Sequence, residues 1–275
     1  MPELPEMEAW RRALADPVSV FPIAKAGPAQ IAPLKTFDPP IATLAGRRFG
    51  GVERRGKRLL LPTDDGELVL VIHLMTSGRL KHLKAGEKAP KAPAFALEFE
   101  GGSKLVLTEN ARRKRAGVWL LSPEAAEAEV AHLGPDALGL GAERLGEILR
   151  RESRRLHPLL RDQRALAGIG RAWSNEILHQ AKLSPYALST DLDDAEVERL
   201  AAAIDEELAR GLALRERGAG DERTYRIHDK LGQPCDIDGT PIARVDFEEH
   251  TIYYCPTCQT GGRVLKDRRL SRLLR

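Results

Sequence analysis

The sequence predicts a multi-domain α+β protein in which a strand-rich part, a helical part and a small cysteine-bearing part follow one another. Three observations predict it. Residues 40–121 break into short apolar or alternating runs separated by hairpin-turn signals, residues 124–218 are mainly helical in pattern, and beyond Gly218 the chain turns to Gly/Pro turns and short strands around its cysteines. A length of 275 residues suits two or three compact pieces. The expected divisions are 1–122, 123–222 and 223–275.

The elements follow in order. Glu3 to Leu14 reads as a short helix with Met7, Trp10 and Leu14 on one side. Leu59-Leu60-Leu61, Leu68 to Leu74, Phe95 to Phe99 and Leu105-Val106-Leu107 read as strands, with Asp64-Asp65-Gly66 and Glu100-Gly101-Gly102 as the turns between them. Ser122-Pro123 is a hinge into helices. Ala167-Gly168-Ile169-Gly170-Arg171 precedes a helix over Trp173 to Gln180, which Lys182-Leu183-Ser184-Pro185 ends. Thr251 to Tyr254 reads as a strand leading into Cys255-Pro256-Thr257-Cys258 on a hairpin.

Composition excludes several classes. With 42% hydrophobic and 30% charged residues the chain is neither disordered nor membrane-spanning. No apolar run approaches the roughly 18 residues of a membrane helix. Met1 to Glu6 carries two acids and no apolar segment, unlike a secretory leader, so a cytoplasmic location is expected. Three cysteines are too few for a disulfide scaffold. The net charge of +3 conceals an uneven distribution. Basic residues gather at Arg54 to Arg58, at Arg79, Lys81 and Lys84, at Arg112 to Arg115 and in the tail Arg263 to Arg275, while residues 191–223 are acid-rich. Several basic clusters together favour a polyanionic partner, against the plainer reading of solvated surface. The acid-rich stretch is expected to face away from that partner.

Three groups of residues could carry chemistry. Cys255-x-x-Cys258 lies twenty residues beyond Cys235, and two C-x-x-C knuckles would make a four-cysteine zinc ribbon. Asp238 occupies the place of the fourth cysteine, and its carboxylate can still bind zinc. His228 and His250 are further donors, and a metal-free hairpin held by packing is the alternative. Second, the glycine-flanked turn before Arg171 would point backbone N–H groups outward, as phosphate binding needs, although an ordinary helix start looks the same. Third, with Met1 removed, Pro2 becomes a terminal secondary amine with a pKa near 8, partly neutral and nucleophilic at pH 7. Glu3 and Glu6, three apart on a helix, share a face near that amine and suit general acid and base work. The competing reading is that a proline and two acids merely start a helix well.

These pieces, in this order, resemble the formamidopyrimidine-DNA glycosylase / endonuclease VIII family of base-excision repair enzymes over essentially the whole chain. Met1-Pro2-Glu3-Leu4-Pro5-Glu6 matches the family's start, and Gly56-Lys57-Arg58-Leu59-Leu60 its lysine-bearing strand turn. His73-Leu74-Met75-Thr76-Ser77-Gly78-Arg79-Leu80 resembles its H-L-x-M-S/T-G segment, and Leu133 to Leu138 its entry into the helical domain. Leu160 to Gln163 with Ala167 to Leu178 resembles its helix–two-turn–helix, and Pro234 to Ile242 with Tyr254 to Gln259 its zinc finger. The resemblance implies an N-terminal β-sandwich with a leading helix, a helix–two-turn–helix domain and a C-terminal β-hairpin resembling a zinc finger. It implies a bifunctional glycosylase and abasic-site lyase working as a monomer on damaged double-stranded DNA in the nucleoid. Pro2 would form a Schiff base, Glu3 and Glu6 would move protons, and Lys57 would hold a phosphate. Thr76, Arg79, Arg112, Arg171, Asn175 and His250 would touch DNA, and zinc would sit on Cys235, Asp238, Cys255 and Cys258.

Departures from the family pattern shape the rest. His250 and Arg171 stand where the family commonly has arginine and asparagine. Thr108 to Arg115 replaces the Pro-Arg-Arg-Phe-Gly loop of the 8-oxoguanine enzymes and contains no aromatic residue, which points to an endonuclease VIII-like branch favouring oxidised pyrimidines. Either Thr76 or Met75 would fill the gap left by a flipped base. The tail could lie along DNA or dock as a structural helix. A non-catalytic binder of damaged or bent DNA is the alternative function, and a zinc-ribbon regulator a more distant one.

Overall fold

The computed structural model describes residues 2–218, 224–247 and 250–266. It divides the chain into two compact units, Met1–His132 and Leu133–Arg275.

The first unit is a β-sandwich with a leading helix. Helix α1 (Leu4–Ala15) begins with Pro5 in its first turn and buries Leu4, Met7 and Leu14. One four-stranded antiparallel sheet has the order β1 (Ile23–Ala29), β6 (Phe95–Phe99), β7 (Lys104–Glu109), β5 (Gly78–Leu83). The other has the order β2 (Glu53–Arg55), β3 (Arg58–Pro62), β4 (Val69–His73), β8 (Gly117–Leu121). Strand β4 reads as a continuous apolar run because both its faces are covered. Leu70 and Ile72 join the main core with Leu59, Leu61, Phe95 and Leu97, while α2 (Pro123–Val130) packs on β4 and β8. Two features differ from expectation. β1 lies before residue 40, and the strand signal is broken there by Gly27 at φ 117° and by Pro28. The first residues of the expected strand region instead form a 3-10 turn, Ile41–Leu44. The expected boundary at 122/123 coincides with the start of α2, where Ser122 accepts the Ala125 N–H, but the packing of α2 carries the first unit on to His132.

The second unit holds α3 (Ala142–Arg150), α4 (Leu156–Arg161), α5 (Arg171–Gln180) and α6 (Asp194–Glu216), followed by the antiparallel hairpin β9 (Ala243–Phe247) and β10 (His250–Tyr254) and the short α7 (Pro256–Thr260). An Asp193/Glu196 capping box starts α6, and its acidic first turn suits the helix dipole. The second Cys-x-x-Cys therefore departs from the expected hairpin. Cys255 caps α7 and Cys258 lies on its single turn, because Pro256 fits a first helical position and Gln259 returns its side chain to the Cys255 N–H. Residues 267–275 of the basic tail and 219–223 of the acid-rich stretch lie outside the described residues.

Candidate functional site

At the amino end, Glu3 caps α1 and Glu6 completes a capping box, with the Glu3 N–H donating to Glu6 Oε2 at 2.8 Å. Glu3 is buried and Pro2 half-buried, so the box fixes the peptide that follows the proline nitrogen and sets two carboxylates beside it. Glu8, one turn further, ties this helix to the next candidate residue. Its buried carboxylate accepts from Arg11, Arg12 and Arg54, and Arg54 also donates to the Gly56 carbonyl at 3.0 Å. Burial opposes ionisation of Glu8, but hydrogen bonds from Arg11 and Arg54 outweigh it and hold its pKa down to about 2. Gly56 at φ 55° opens the two-residue turn between the paired Arg55 and Arg58, a conformation that favours glycine, and Lys57 follows it, 6% exposed. His73 pairs with Arg58 across the sheet. Burial, then the charges of Arg58 and Lys57, push it down to about 3, so it is neutral.

Two loops of the same unit meet at one carboxylate. In the turn after β4, Met75 takes φ 51° and Thr76 is exposed. Gly78 closes the turn by donating to the Leu74 carbonyl, where an added Cβ would stand 2.4 Å from that oxygen. Glu109, 4% exposed, accepts from Ser77 Oγ at 2.8 Å and from the N–H groups of Arg115 and Ala116 at 2.9 and 3.2 Å. Burial raises its pKa, but these donors lower it further. Glu109 thus holds the Met75–Thr76 turn and the basic loop 110–115 together. Arg112 is exposed on that loop, and Arg79 is exposed beside the turn, donating to the Gly78 carbonyl.

In the second unit, Gly170 caps α5 and Arg171 begins it, exposed at the helix start as the phosphate reading requires. Asn175 needs a correction. One turn further it faces inward, 1% exposed, with Nδ2 2.8 Å from His228 Nδ1, so it supports His228 and does not present its amide to DNA. His250 opens β10, half-buried. Nearby His157 is fully buried, and desolvation holds it neutral. Glu176 has no exposed surface and accepts the N–H groups of Arg226, Ile227 and His228 at 2.8, 3.1 and 2.9 Å. Of the acid-rich stretch, Glu207 is buried and paired with Arg210 and Arg226, so that residue is structural.

Cys235, Asp238, Cys255 and Cys258 form a cluster that could hold a metal, with all four donor atoms within 4.8 Å of one another. Cys255 Sγ lies 3.3 and 3.4 Å from the Asp238 oxygens. Tetrahedral zinc with S and O ligands at roughly 2.3 and 2.1 Å separates such atoms by similar distances, so the donor set fits zinc. His228 and His250 are not among these donors. Sequence reasoning missed Glu8, Glu109, Glu176 and His179. Their only signal is a polar residue set within an apolar pattern.

A sandwich with this acid-and-proline start, a helical unit with a glycine-capped helix and a β-hairpin beside a cysteine cluster make up the described architecture. The sequence model described as the formamidopyrimidine-DNA glycosylase N-terminal domain matches residues 1–116, and that for the H2TH domain of the same enzyme matches residues 133–222. The formamidopyrimidine-DNA glycosylases of Pelotomaculum thermopropionicum and Heliobacterium modesticaldum are 31% and 35% identical, with 94% of this chain and 99% and 100% of theirs aligned. An uncharacterized formamidopyrimidine-DNA glycosylase-like protein of Mycobacterium tuberculosis is 40% identical over 52% of this chain and 94% of its own. The Lactococcus lactis enzyme in complex with abasic-site DNA superposes with a TM-score of 0.84 at 23% identity, over 94% of this chain and 99% of that one. The chain belongs to the formamidopyrimidine-DNA glycosylase family, whose members are DNA glycosylases.

Proposed function

We propose that this protein excises oxidised bases from double-stranded DNA and cleaves the abasic strand through a Schiff base on Pro2, acting as a monomer. The capping box at Glu3 and Glu6 carries this reading, because it sets a secondary amine and two carboxylates side by side at one helix start. With Met1 removed, the proline nitrogen attacks C1′ of the damaged nucleotide, a C–N bond forms and the base departs. Glu3 gives a proton to the sugar ring oxygen as the ring opens and an iminium forms. Loss of the C2′ proton expels the 3′ phosphate, and a second elimination expels the 5′ phosphate. Glu6, which accepts the Glu3 N–H, keeps that carboxylate in place and supports proton transfer. Lys57, on the turn that Glu8 and Arg54 brace, would hold a phosphate of the damaged strand. Thr76, Arg79 and Arg112, and in the second unit Arg171 and His250, would contact DNA. Met75, at φ 51°, is the alternative to Thr76 for filling the gap.

Functionally we divide the chain into a catalytic part (1–122), a helix–two-turn–helix part (123–222) and a finger part (223–275). Zinc on Cys235, Asp238, Cys255 and Cys258 would be structural and would hold the hairpin in shape. The aromatic-free loop 108–115 supports oxidised pyrimidines over 8-oxoguanine, since nothing there can stack beside the orphaned base. Borohydride should trap the enzyme covalently on abasic-site DNA. No trapped band from protein shown to lack Met1 would instead leave a non-catalytic binder of damaged DNA.

Glu109 supplies a check on the lesion-recognition part of this reading. In Glu109→Ala the two loops lose their shared acceptor, and excision of an oxidised pyrimidine should fall about tenfold, the worth of one to two hydrogen bonds. Cleavage of a ready-made abasic site, where no base has to be held out, should fall less. Matched duplex assays measure both, and equal losses would count against the proposed role of the loops.

A further inference from the structure

His179 lies on the buried side of α5, with no exposed surface, and its Nε2 stands 3.1 Å from Sγ of Cys235. The same nitrogen is 3.8 Å from Oδ1 of the exposed Asp236. Its other nitrogen, Nδ1, has no hydrogen-bond partner among the described residues. A neutral imidazole has one N–H, and in a dry site the nitrogen that bears it belongs where an acceptor stands. That places the hydrogen on Nε2, aimed at sulfur. A protonated thiol accepts weakly, whereas a thiolate accepts strongly, and a cysteine that binds a metal must be ionised. Three thiolates and a carboxylate around a dication leave excess negative charge, so N–H donors to the sulfurs stabilise the loaded state. The Ile237 N–H, 3.4 Å from the same sulfur, is one such donor. His179 is not itself one of the four ligands, since its donor set and theirs share only Cys235.

We infer that His179 is a positioning residue of the metal centre. Its Nε2–H donates to the Cys235 thiolate and locks the first knuckle of the finger onto α5. α5 runs from Arg171 to Gln180, and in the segment that follows it the Leu183 carbonyl accepts from the buried Gln259 of α7 at 2.9 Å. The finger thus holds α5 at His179 and the chain just beyond it at Leu183. This inference rests on the reading that the cluster binds zinc.

Three proteins test it: the full-length chain, His179→Phe and His179→Gln. Phenylalanine fills the site without a donor, and glutamine restores an N–H at similar reach. Zinc affinity is measured by competition with a chromophoric chelator, and the cobalt-loaded forms are compared through their thiolate-to-metal charge-transfer bands. His179→Phe should lose 10- to 100-fold in zinc affinity, with a shifted charge-transfer band, as is usual when a partner that orients a metal ligand is removed. His179→Gln should recover most of both. Full affinity and an unshifted band in His179→Phe would overturn the inference while leaving the zinc reading intact. Equal losses in both variants would also overturn it, in favour of simple packing. A histidine nitrogen bound directly to zinc in the X-ray absorption spectrum, lost in His179→Phe, would replace it with direct ligation. Wild-type protein that takes up no metal would overturn both readings.

Discussion

Replacing Pro2 by glycine is expected to remove base excision from a duplex containing an oxidised pyrimidine, and Glu3→Gln is expected to do the same while leaving DNA binding near wild type. The two losses have different causes. Glycine still offers a terminal amine, but a primary one, whose Schiff base can shed its proton and become a neutral imine. The proline product has no such proton to lose and stays a cationic electron sink through both eliminations. Glutamine at position 3 keeps the shape of the carboxylate and can still accept the N–H that closes the capping box, but it cannot give up a proton to the sugar oxygen. General acid catalysis is worth roughly 10²–10⁴-fold, and a loss of that size is expected for Glu3→Gln under single-turnover conditions. Pro2→Gly should retain weak borohydride trapping on a preformed abasic site, where no base has to be displaced. Full excision by Glu3→Gln would remove its role as acid, and full excision by Pro2→Gly would remove the requirement for a secondary amine. Mass spectrometry of the amino terminus belongs with both experiments, since a retained Met1 makes the proline nitrogen an unreactive amide.

The parts of this fold that could be read from sequence are those where a local rule and the tertiary outcome agree. The runs around Leu59, Leu70, Leu97 and Val106 are strands in both, because short apolar runs between glycine turns have few other compact solutions. β1 was hidden because Gly27 and Pro28 weaken its local signal, and its pairing with β6 supplies what the sequence withholds. The knuckle at Cys255 follows a strand and so reads as a hairpin, yet Pro256 and the Gln259 side chain turn it into helix. The candidate site divides in the same way. Pro2, Glu3, Glu6, Lys57 and the four residues of the cysteine cluster are visible because their spacing is local or matches a family pattern. The inward facing of Asn175 is not legible locally, because it depends on His228, fifty-three positions away. Glu8 and Glu109 act by bringing segments from different parts of the chain onto one carboxylate, a role no local pattern reveals.

Glu176 shows how strongly the second unit depends on one such residue. Its carboxylate has no exposed surface, and Oε1 alone accepts the N–H groups of both Ile227 and His228, while Oε2 takes that of Arg226. Burial pushes its pKa up, and the three N–H groups oppose that rise without cancelling it. By accepting these three N–H groups the side chain forms a cap that fixes the segment leading into the finger against α5. In Glu176→Ala three N–H groups lose their acceptor, and each buried orphan costs about 1–3 kcal/mol. A destabilisation of 3 kcal/mol or more is therefore expected, which for a unit of this size lowers the melting temperature by roughly 10 °C. Glu176→Gln keeps one oxygen but turns an NH₂ group toward a backbone donor, so it should fall between wild type and alanine. Because Arg171, a proposed phosphate contact, begins the same helix, the alanine variant should also bind abasic-site DNA more weakly, while the borohydride trapping rate at saturating DNA stays near wild type. That separation follows from where the residue acts, since Pro2 and Glu3 belong to the other unit and keep their own capping box. Calorimetry together with trapping at two DNA concentrations measures each part. An unchanged melting temperature would mean that the three N–H groups find other acceptors.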